Sequence, residues 1–482
     1  MKNTDAPIFT LSEALEATGG KLLSGQAAQP FCGVSTDSRQ IKSNNLFVAL
    51  SGDNFDGHHF VGLAAEGGAT GVMVQNEEKV DLRKIPSGVC VIKVDDTLKA
   101  LGELAHAYRM RFSIPVIALT GSSGKTTTKE MITGILETQK KVLKTLGNLN
   151  NLIGLPQTIF RLEGSHEVAV LEMGTNTRGE IKRLTQIASP DIGLITNIGP
   201  AHLAGFGSME VVRQEKGDLF VNMDPSKTLV VNLDDEAVRS LAQKWSGGRV
   251  TFSMTSNADV SVKDIRQSGA KGVSFSLLTG GQERKVEMKI AGIHNVYNAM
   301  AAAGAAMAAG FGIDAICEGL SMFQPVGGRM EIIKLQNGAY VINDAYNANP
   351  ASVREALMTL KDLKGSRNAF VFLGDMLELG EAAPELHRKI GLLLAAIGVS
   401  GAYLQGDFAE MTAAGARDGG LAQDKVMFLK DDEEAMASLK TQLRKGDWIL
   451  VKGSRRMKMD RFVSRLCEDF GNGSAQAGKT VH

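Results

Sequence analysis

The sequence predicts an α/β protein built from three successive units, and three observations carry that prediction. The stretch Pro115–Glu130 reads as strand, glycine turn and helix in that order. Short apolar runs alternate with helical patterns on both sides of a linker at Pro325-Val-Gly-Gly-Arg329. At 482 residues the chain has room for about three domains.

Within the first stretch, Pro115–Leu119 is a short apolar run that reads as a buried strand. Thr120 to Lys125 forms a small turn carrying Gly121 and Gly124. From Thr126 onward Met131, Ile132, Ile135 and Leu136 fall on one helix face. The N–H groups of such a turn lack internal partners and point at phosphate oxygens. Lys125 reaches the outer phosphates, and the Thr126 hydroxyl suits Mg²⁺. The common phosphate-loop pattern has another glycine five residues before Gly124, where Leu119 stands. A plain strand-to-helix turn therefore competes, but the flanking strand and helix favour a nucleotide.

Hydrophobic residues make up 43% and charged residues 22% of the chain, as in soluble globular proteins. Lys plus Arg and Asp plus Glu number 53 each, so no global field attracts nucleic acid or anionic membrane. Cys32, Cys90, Cys317 and Cys467 form no Cys-x-x-Cys pair, and reduced thiols are expected. The first residues lack the apolar core of a signal peptide. The Ala-rich stretch Ala299–Ala309 is too short and too weakly apolar to span a bilayer. These features predict a cytoplasmic enzyme with no membrane-inserted part.

Residues 1–97 read as a small unit with a helix at Leu11–Thr18 and strands at Phe47–Leu50, Gly71–Val74 and Val89–Ile92. Two polar loops punctuate it, Ser35-Thr-Asp-Ser-Arg39 and Gly52 to His59. Asp and Ser in such loops usually cap helices or close turns. His58 and His59 lack the helix-spaced partner that a metal site would need.

Residues 98–326 contain strands at Glu167–Met173, Asp191–Ile198 and Thr228–Asn232. Doubly wound sheets bind ligands at the carboxyl ends of their strands. Glu172 and His202 fall at such ends, on the edge where the phosphate loop opens. Residues 250–290 resemble β-hairpins with glycine turns. In the helix that follows, Asn295 and Asn298 share one face at its start. Capping accounts for Asn295, but Asn298 calls for another partner.

Residues 327–470 alternate again, with strands at Tyr340–Asn343, Ala369–Leu373, Gly401–Leu404, Val426–Leu429 and Asp447–Lys452. Helices are expected at Ser352–Leu363 and 384–396. The small polar tail 471–482 is expected to be disordered.

Taken in order, these residues resemble the Mur ligase family. The matching segments are Thr120-Gly-Ser-Ser-Gly-Lys-Thr126, Gly147-Asn-Leu-Asn-Asn151, Glu172-Met-Gly174 and Gly199-Pro-Ala-His-Leu203 leading to Lys216. His294-Asn295 with Asn298, Gly328-Arg-Met-Glu331 and Asp344-Ala-Tyr-Asn-Ala-Asn-Pro350 continue the series. Asn148–Asn151, Leu373–Gly380 and Lys452–Arg455 are similar to the branch that adds D-alanyl-D-alanine to UDP-N-acetylmuramoyl-tripeptide. The resemblance covers nearly all the chain except its tail.

It implies a small N-terminal α/β domain that binds the UDP-muramoyl-peptide, a central P-loop doubly wound ATPase domain and a C-terminal Rossmann-like domain. Ser35, Asp37, Ser38, Arg39, Asp56 and His58 become candidates for the uridine diphosphate. Thr120, Gly121, Ser122, Ser123, Gly124, Lys125, Thr126 and Thr127 would cradle the ATP phosphates. Thr126 and Glu172 would hold one Mg²⁺, and His202 with a carbamylated Lys216 a second. A bare ammonium cannot ligate a cation, and without the resemblance Lys216 reads as a surface lysine. Asn295, Asn298, Asp344 and Asn347 would contact the nucleoside, and Arg329 the γ-phosphate. Asn148, Asn150 and Asn151 would hold the muramoyl-peptide, with Arg455 and Asp375 toward the dipeptide.

The implied reaction phosphorylates a carboxylate with ATP, and an amine then displaces phosphate from the acyl phosphate. A monomer acting on small molecules is expected. Gripping one nucleotide from both sides requires the third unit to swing in, with Gly327 and Gly328 supplying the backbone freedom. Folylpolyglutamate synthetase and other amino-acid-adding ligases of this fold compete. So does a nucleotide-dependent switch, although the Asn-Lys-x-Asp of guanine-nucleotide switches and the Asp-Asn-Pro-Arg of diaminopimelate-adding enzymes are both absent.

Overall fold

The computed structural model describes residues 7–25, 30–52, 55–201, 203–429 and 432–471. His202 and the tail beyond Gly471 lie outside the described residues. Three main sheets follow one another along the chain.

The first sheet has five strands in the order Lys21–Ser24, Cys90–Lys93, Ala69–Val74, Asn45–Val48 and Gly33–Ser35. All pairs are parallel except Lys21–Ser24 against Cys90–Lys93. The helix Leu11–Thr18 forms as expected. Thr10 accepts the Glu13 amide, and the Glu13 carboxylate accepts the Thr10 amide, a reciprocal cap that satisfies two orphan donors.

The central sheet has nine strands, ordered 142–144, 168–172, 116–120, 192–195, 228–232, 248–253, 260–267, 273–279 and 282–288. The first seven run parallel, and the last two are added by antiparallel pairing, so that only 273–279 runs against the rest. The hairpins expected over 250–290 therefore begin only at residue 260. The strand Gly248–Ser253 pairs in parallel with Thr228–Asn232 instead. At its end the Asp234 carboxylate accepts from the Ser253 and Thr255 hydroxyls and the Met254 amide, fixing the turn that follows.

Every residue of the strand Val116–Thr120 is buried. Ile117 and Leu119 face the helices Lys125–Leu136 and Ile293–Ala308, while Val116 and Ala118 face Thr97–Arg109 and Glu180–Ala188. Helices on both faces explain why this strand reads as an unbroken apolar run. Leu119 lies opposite both Glu172 and Leu194 in register. That register brings the phosphate loop and Glu172 out on the same sheet edge.

The third sheet runs 331–334, 340–344, 448–452, 369–374, 401–405 and 426–428. Only Glu331–Lys334 is antiparallel to its neighbour. That short edge strand is not evident in the sequence, where Glu331 falls in the motif after the linker. Asp344 lies beside Lys452 in register, and the two side chains form an ion pair.

Candidate active site

The phosphate loop depends on glycine twice. At Gly121 an added Cβ would stand 2.0 Å from Thr196 Oγ1, and at Gly124 it would stand 2.3 Å from Asn298 Oδ1. Gly124 also has φ +77°, in the left-handed region that L side chains resist. We expect Gly124→Ala to cost about 1–2 kcal/mol of stability and to displace Asn298. Calorimetry should find ADP binding lost or strongly weakened, and unchanged affinity would refute the cradle.

Lys125 opens the helix Lys125–Leu136, and its ammonium donates to the Gly121 carbonyl (2.9 Å), folding over the loop. Thr126 donates to Glu172 Oε2 (2.9 Å), and Asn150 donates to Oε1 (2.8 Å). The Glu172 amide donates to Thr145 Oγ1 (3.0 Å). The carboxylate is thus held by two side chains with lone pairs left over, and its backbone is tied to Thr145.

These groups open into a cavity of about 430 Å³. Its wall carries Ser122 to Thr127, Asn148, Asn150, Asn151, Glu172, Lys216, Asn295 and Asn298 from the central sheet. Arg329, Asp344, Asn347 and Arg455 face them from the third sheet. Residues of the second and third units therefore line one cavity. Asn349, which caps the helix Pro350–Lys364, also donates to the Ser122 carbonyl (3.2 Å) across the boundary.

Several cations share this cavity, among them Lys125, Lys216 and Arg329. Burial pulls the Lys125 ammonium below its ordinary value, Glu172 opposes that, and Arg329 adds to it. Lys216 is only 2% exposed. Burial, and then the Lys125 charge, bring its ammonium down to about 7, against the pull of Glu215. A substantial fraction is therefore free amine near neutrality. The Arg329 guanidinium lies over the Tyr346 ring, 4.0 Å from its centroid, a cation–π contact that helps hold it in place.

On another wall of the cavity Asn295 and Asn298 hold each other. Asn298 Nδ2 donates to Asn295 Oδ1 (3.0 Å), and Asn298 Oδ1 accepts from Thr128 (3.3 Å). The partner that Asn298 called for is thus Asn295, with Gly124 packed against its amide. Asp344 accepts from the Met330 amide (3.1 Å) and pairs with Lys452.

Other candidates lie elsewhere. Thr120 is fully buried and donates to the Met173 carbonyl (2.8 Å), so its hydroxyl faces the core and not the cavity. Asp375 is turned inward: its carboxylate accepts the Asp407 amide (2.7 Å) and the Phe408 amide (3.2 Å) beside His387. Two amide donors from one loop explain that orientation, and Asp375 does not meet a dipeptide in this cavity.

In the first unit His58 is equally internal. Its Nε2 accepts the Gln75 and Asn76 amides (3.1 and 3.2 Å), leaving the proton on Nδ1, which meets Asp56 at 2.6 Å. Lys79 completes that carboxylate's partners and, foremost, holds it below the usual range. Asp37 forks onto Arg39, whose hydrogen bonds lower its pKa to about 2. Ser35 accepts the Asp37 amide, and Ser38 and Arg39 form one short turn. This loop is outside the cavity but not remote from it. Gln157 donates to Thr36 (3.0 Å) from the helix Gly154–Ile159, whose first amide is capped by Asn151.

Lys129, Glu215 and Tyr346 escaped the sequence reading. Lys129 stands four residues after Lys125 and so shares its helix face, a signal that was present. Glu215 accepts from Thr175 and from the Gly179 and Ile181 amides, contacts that no spacing announces.

A lysine-bearing phosphate loop, a carboxylate and an arginine supplied by the third unit define an ATP-dependent ligase. Comparison with known proteins agrees. The chain matches the Mur ligase family, catalytic domain over residues 30–109, the Mur ligase middle domain over 119–306 and the Mur ligase, glutamate ligase domain over 328–455. It is 36% identical to UDP-N-acetylmuramoyl-tripeptide--D-alanyl-D-alanine ligase of Bacillus subtilis over 95% of this chain and 98% of the relative. The ligase of that name from Escherichia coli is 34% identical, with 95% and 98% covered. The crystal structure of MurF from Acinetobacter baumannii superposes with a TM-score of 0.87 at 32% identity, covering 96% of this chain and 99% of that one. MurF ligase from Thermotoga maritima in complex with ADP gives 0.81 at 26% identity, covering 91% and 97%. The chain belongs to the Mur ligase family.

Proposed function

We propose that this chain joins D-alanyl-D-alanine to UDP-N-acetylmuramoyl-tripeptide, converting ATP to ADP and phosphate, in peptidoglycan precursor synthesis. The observation that carries this reading is the convergence of Lys125, Thr126, Glu172, Lys216 and Arg329 on one cavity, with Asn148–Asn151 on one wall and Arg455 on another. The match to ligases of that specificity over nearly the whole chain supports the choice of substrates.

Phosphoryl transfer needs positioning and neutralised charge more than covalent help. Lys125 and Arg329 supply positive charge from opposite walls. Asn148, Asn150 and Asn151 orient the peptide carboxylate toward the γ-phosphate, and transfer yields an acyl phosphate. The dipeptide amine attacks its carbonyl carbon, the amide bond forms and phosphate leaves. The closed cavity keeps water from that intermediate. Loop 35–39, tied to the Asn151 helix, continues the same path toward the uridine diphosphate.

The donor set fits Mg²⁺. Thr126 and Glu172 offer hard oxygens, and among the described residues no three His, Cys, Asp or Glu side chains converge. Mg²⁺ takes one or two carboxylates, completing its shell with phosphates and water, and when bound it neutralises charge developing on the phosphates. In this reading a carbamate on Lys216 gives a second anionic ligand, with His202.

No helix among the described residues is long and apolar enough to cross a membrane. Dependence on ATP assigns the work to the cytoplasm, and one chain supplies the whole cavity, which suits a monomer.

An ADP-release assay across muramoyl-peptides and amine donors tests the assignment. Release should require both the tripeptide substrate and D-alanyl-D-alanine, and equal turnover with a single amino acid would reject it. We also expect ATP and the tripeptide to bind before the dipeptide. The radius of gyration by small-angle scattering should fall when an ATP analogue and the tripeptide are added. An unchanged radius, with tight dipeptide binding to the free enzyme, would reject both hinge and order.

A further inference from the structure

Lys129 is 1% exposed, and no step above uses it. A buried ammonium is costly unless it is paired, so its partners indicate its purpose. Its Nζ donates to the Thr145 carbonyl (2.8 Å), meets Glu130 Oε1 at 2.9 Å and lies 3.9 Å from Glu172 Oε2. Thr145 is the hinge of this arrangement. Its carbonyl is held by Lys129, and its hydroxyl accepts the Glu172 amide. Lys144 holds the other oxygen of Glu130 (2.6 Å), which keeps that carboxylate from drawing Lys129 away.

We propose that Lys129 is a positioning residue for the ATP-dependent step, fixing Glu172 both through Thr145 and by its charge. At 3.9 Å it is too far to occupy a lone pair of Glu172 yet close enough to compensate a carboxylate that is 2% exposed. Thr126 and Asn150 then set the direction of the two oxygens, and Lys129 keeps the strand end and the charge in place. The inference rests on the reading of Glu172 as a Mg²⁺ ligand.

The test is a Mg²⁺ titration of ADP binding by calorimetry, with thermal melting as the check on folding. Lys129→Met removes charge and donor, Lys129→Gln keeps a donor to Thr145, and Lys129→Arg keeps both. Partners of metal ligands typically alter metal affinity by 10- to 100-fold, so Lys129→Met should raise the half-saturating Mg²⁺ about tenfold or more. Lys129→Gln should fall between, and Lys129→Arg should recover most of the loss. In turnover, kcat should drop while KM for the tripeptide stays within about twofold, as for an interaction made only in the transition state. Should the Met variant not fold, Lys129→Gln carries the test. A folded variant with wild-type Mg²⁺ dependence overturns the role of Lys129. Glu172→Gln separates the two claims: if it raises the Mg²⁺ requirement while the Lys129 variants do not, only the Lys129 proposal fails. If Glu172→Gln leaves the requirement unchanged, the metal reading fails and takes this proposal with it.

Discussion

Lys125→Ala is expected to abolish ligation while leaving the fold intact. The side chain lies over the phosphate loop and, among the described residues, donates to the Gly121 carbonyl alone, so its removal opens no core cavity. What disappears is a charge aimed at the phosphates during transfer, in a closed site where it faces Glu172 and Arg329. Removing one such preorganised contact typically costs roughly 3 kcal/mol, or about two orders of magnitude in rate. Glu172→Ala should do as much, since it strips the acceptor of both Thr126 and Asn150. The measurement is ADP release at saturating substrates beside a melting curve. Near-normal turnover in either variant would mean that the phosphate site lies elsewhere.

Lys216→Ala should be almost as damaging, for a different reason. Lys216 opens into the same cavity as Lys125 and Glu172 and is withdrawn from solvent. On the proposed reading, its nitrogen as a free amine would add to the carbon of CO₂ and release a proton, leaving a carboxylate where a cation stood. Its neighbour Glu215 is spent on the 175–181 loop, so it cannot substitute as the anion. Losing a metal-borne contribution of several kcal/mol corresponds to at least about a hundredfold in rate. Acetate or another small carboxylate should restore part of the activity of Lys216→Ala and none of that of Lys125→Ala. Absence of rescue would weaken the carbamate, and a high-resolution map with metals bound beside a bare ammonium would end it.

The phosphate loop was legible because its chemistry is local. A five-residue buried strand, two glycines and a helix start are encoded within Val116–Leu136, and the structure builds them in place. Glu172 was legible for a related reason, since parallel strands deliver their carboxyl ends to one edge. Strands such as Tyr340–Asp344 and Ala369–Gly374 also followed from short apolar runs, whereas the caps Asp96 and Asn349 became visible only in the fold. The edge strand Glu331–Lys334 did not, being four residues long with no turn signal to separate it from the linker.

By itself the sequence determined the order of elements, the phosphate loop and the residue types at the sheet edge, because backbone period and capping act over a few residues. Tertiary structure alone decided which polar side chains face ligand. His58 and Asp375 have the composition of site residues, yet backbone amides from other segments claim their acceptors and turn them inward. Lys129, Glu215 and Lys216 read as ordinary helix charges, yet packing withdraws all three from water. The free energy of a buried charge is set by partners that sequence spacing does not reveal. Only the folded chain could set Lys129 behind Glu172 and Lys216 before it.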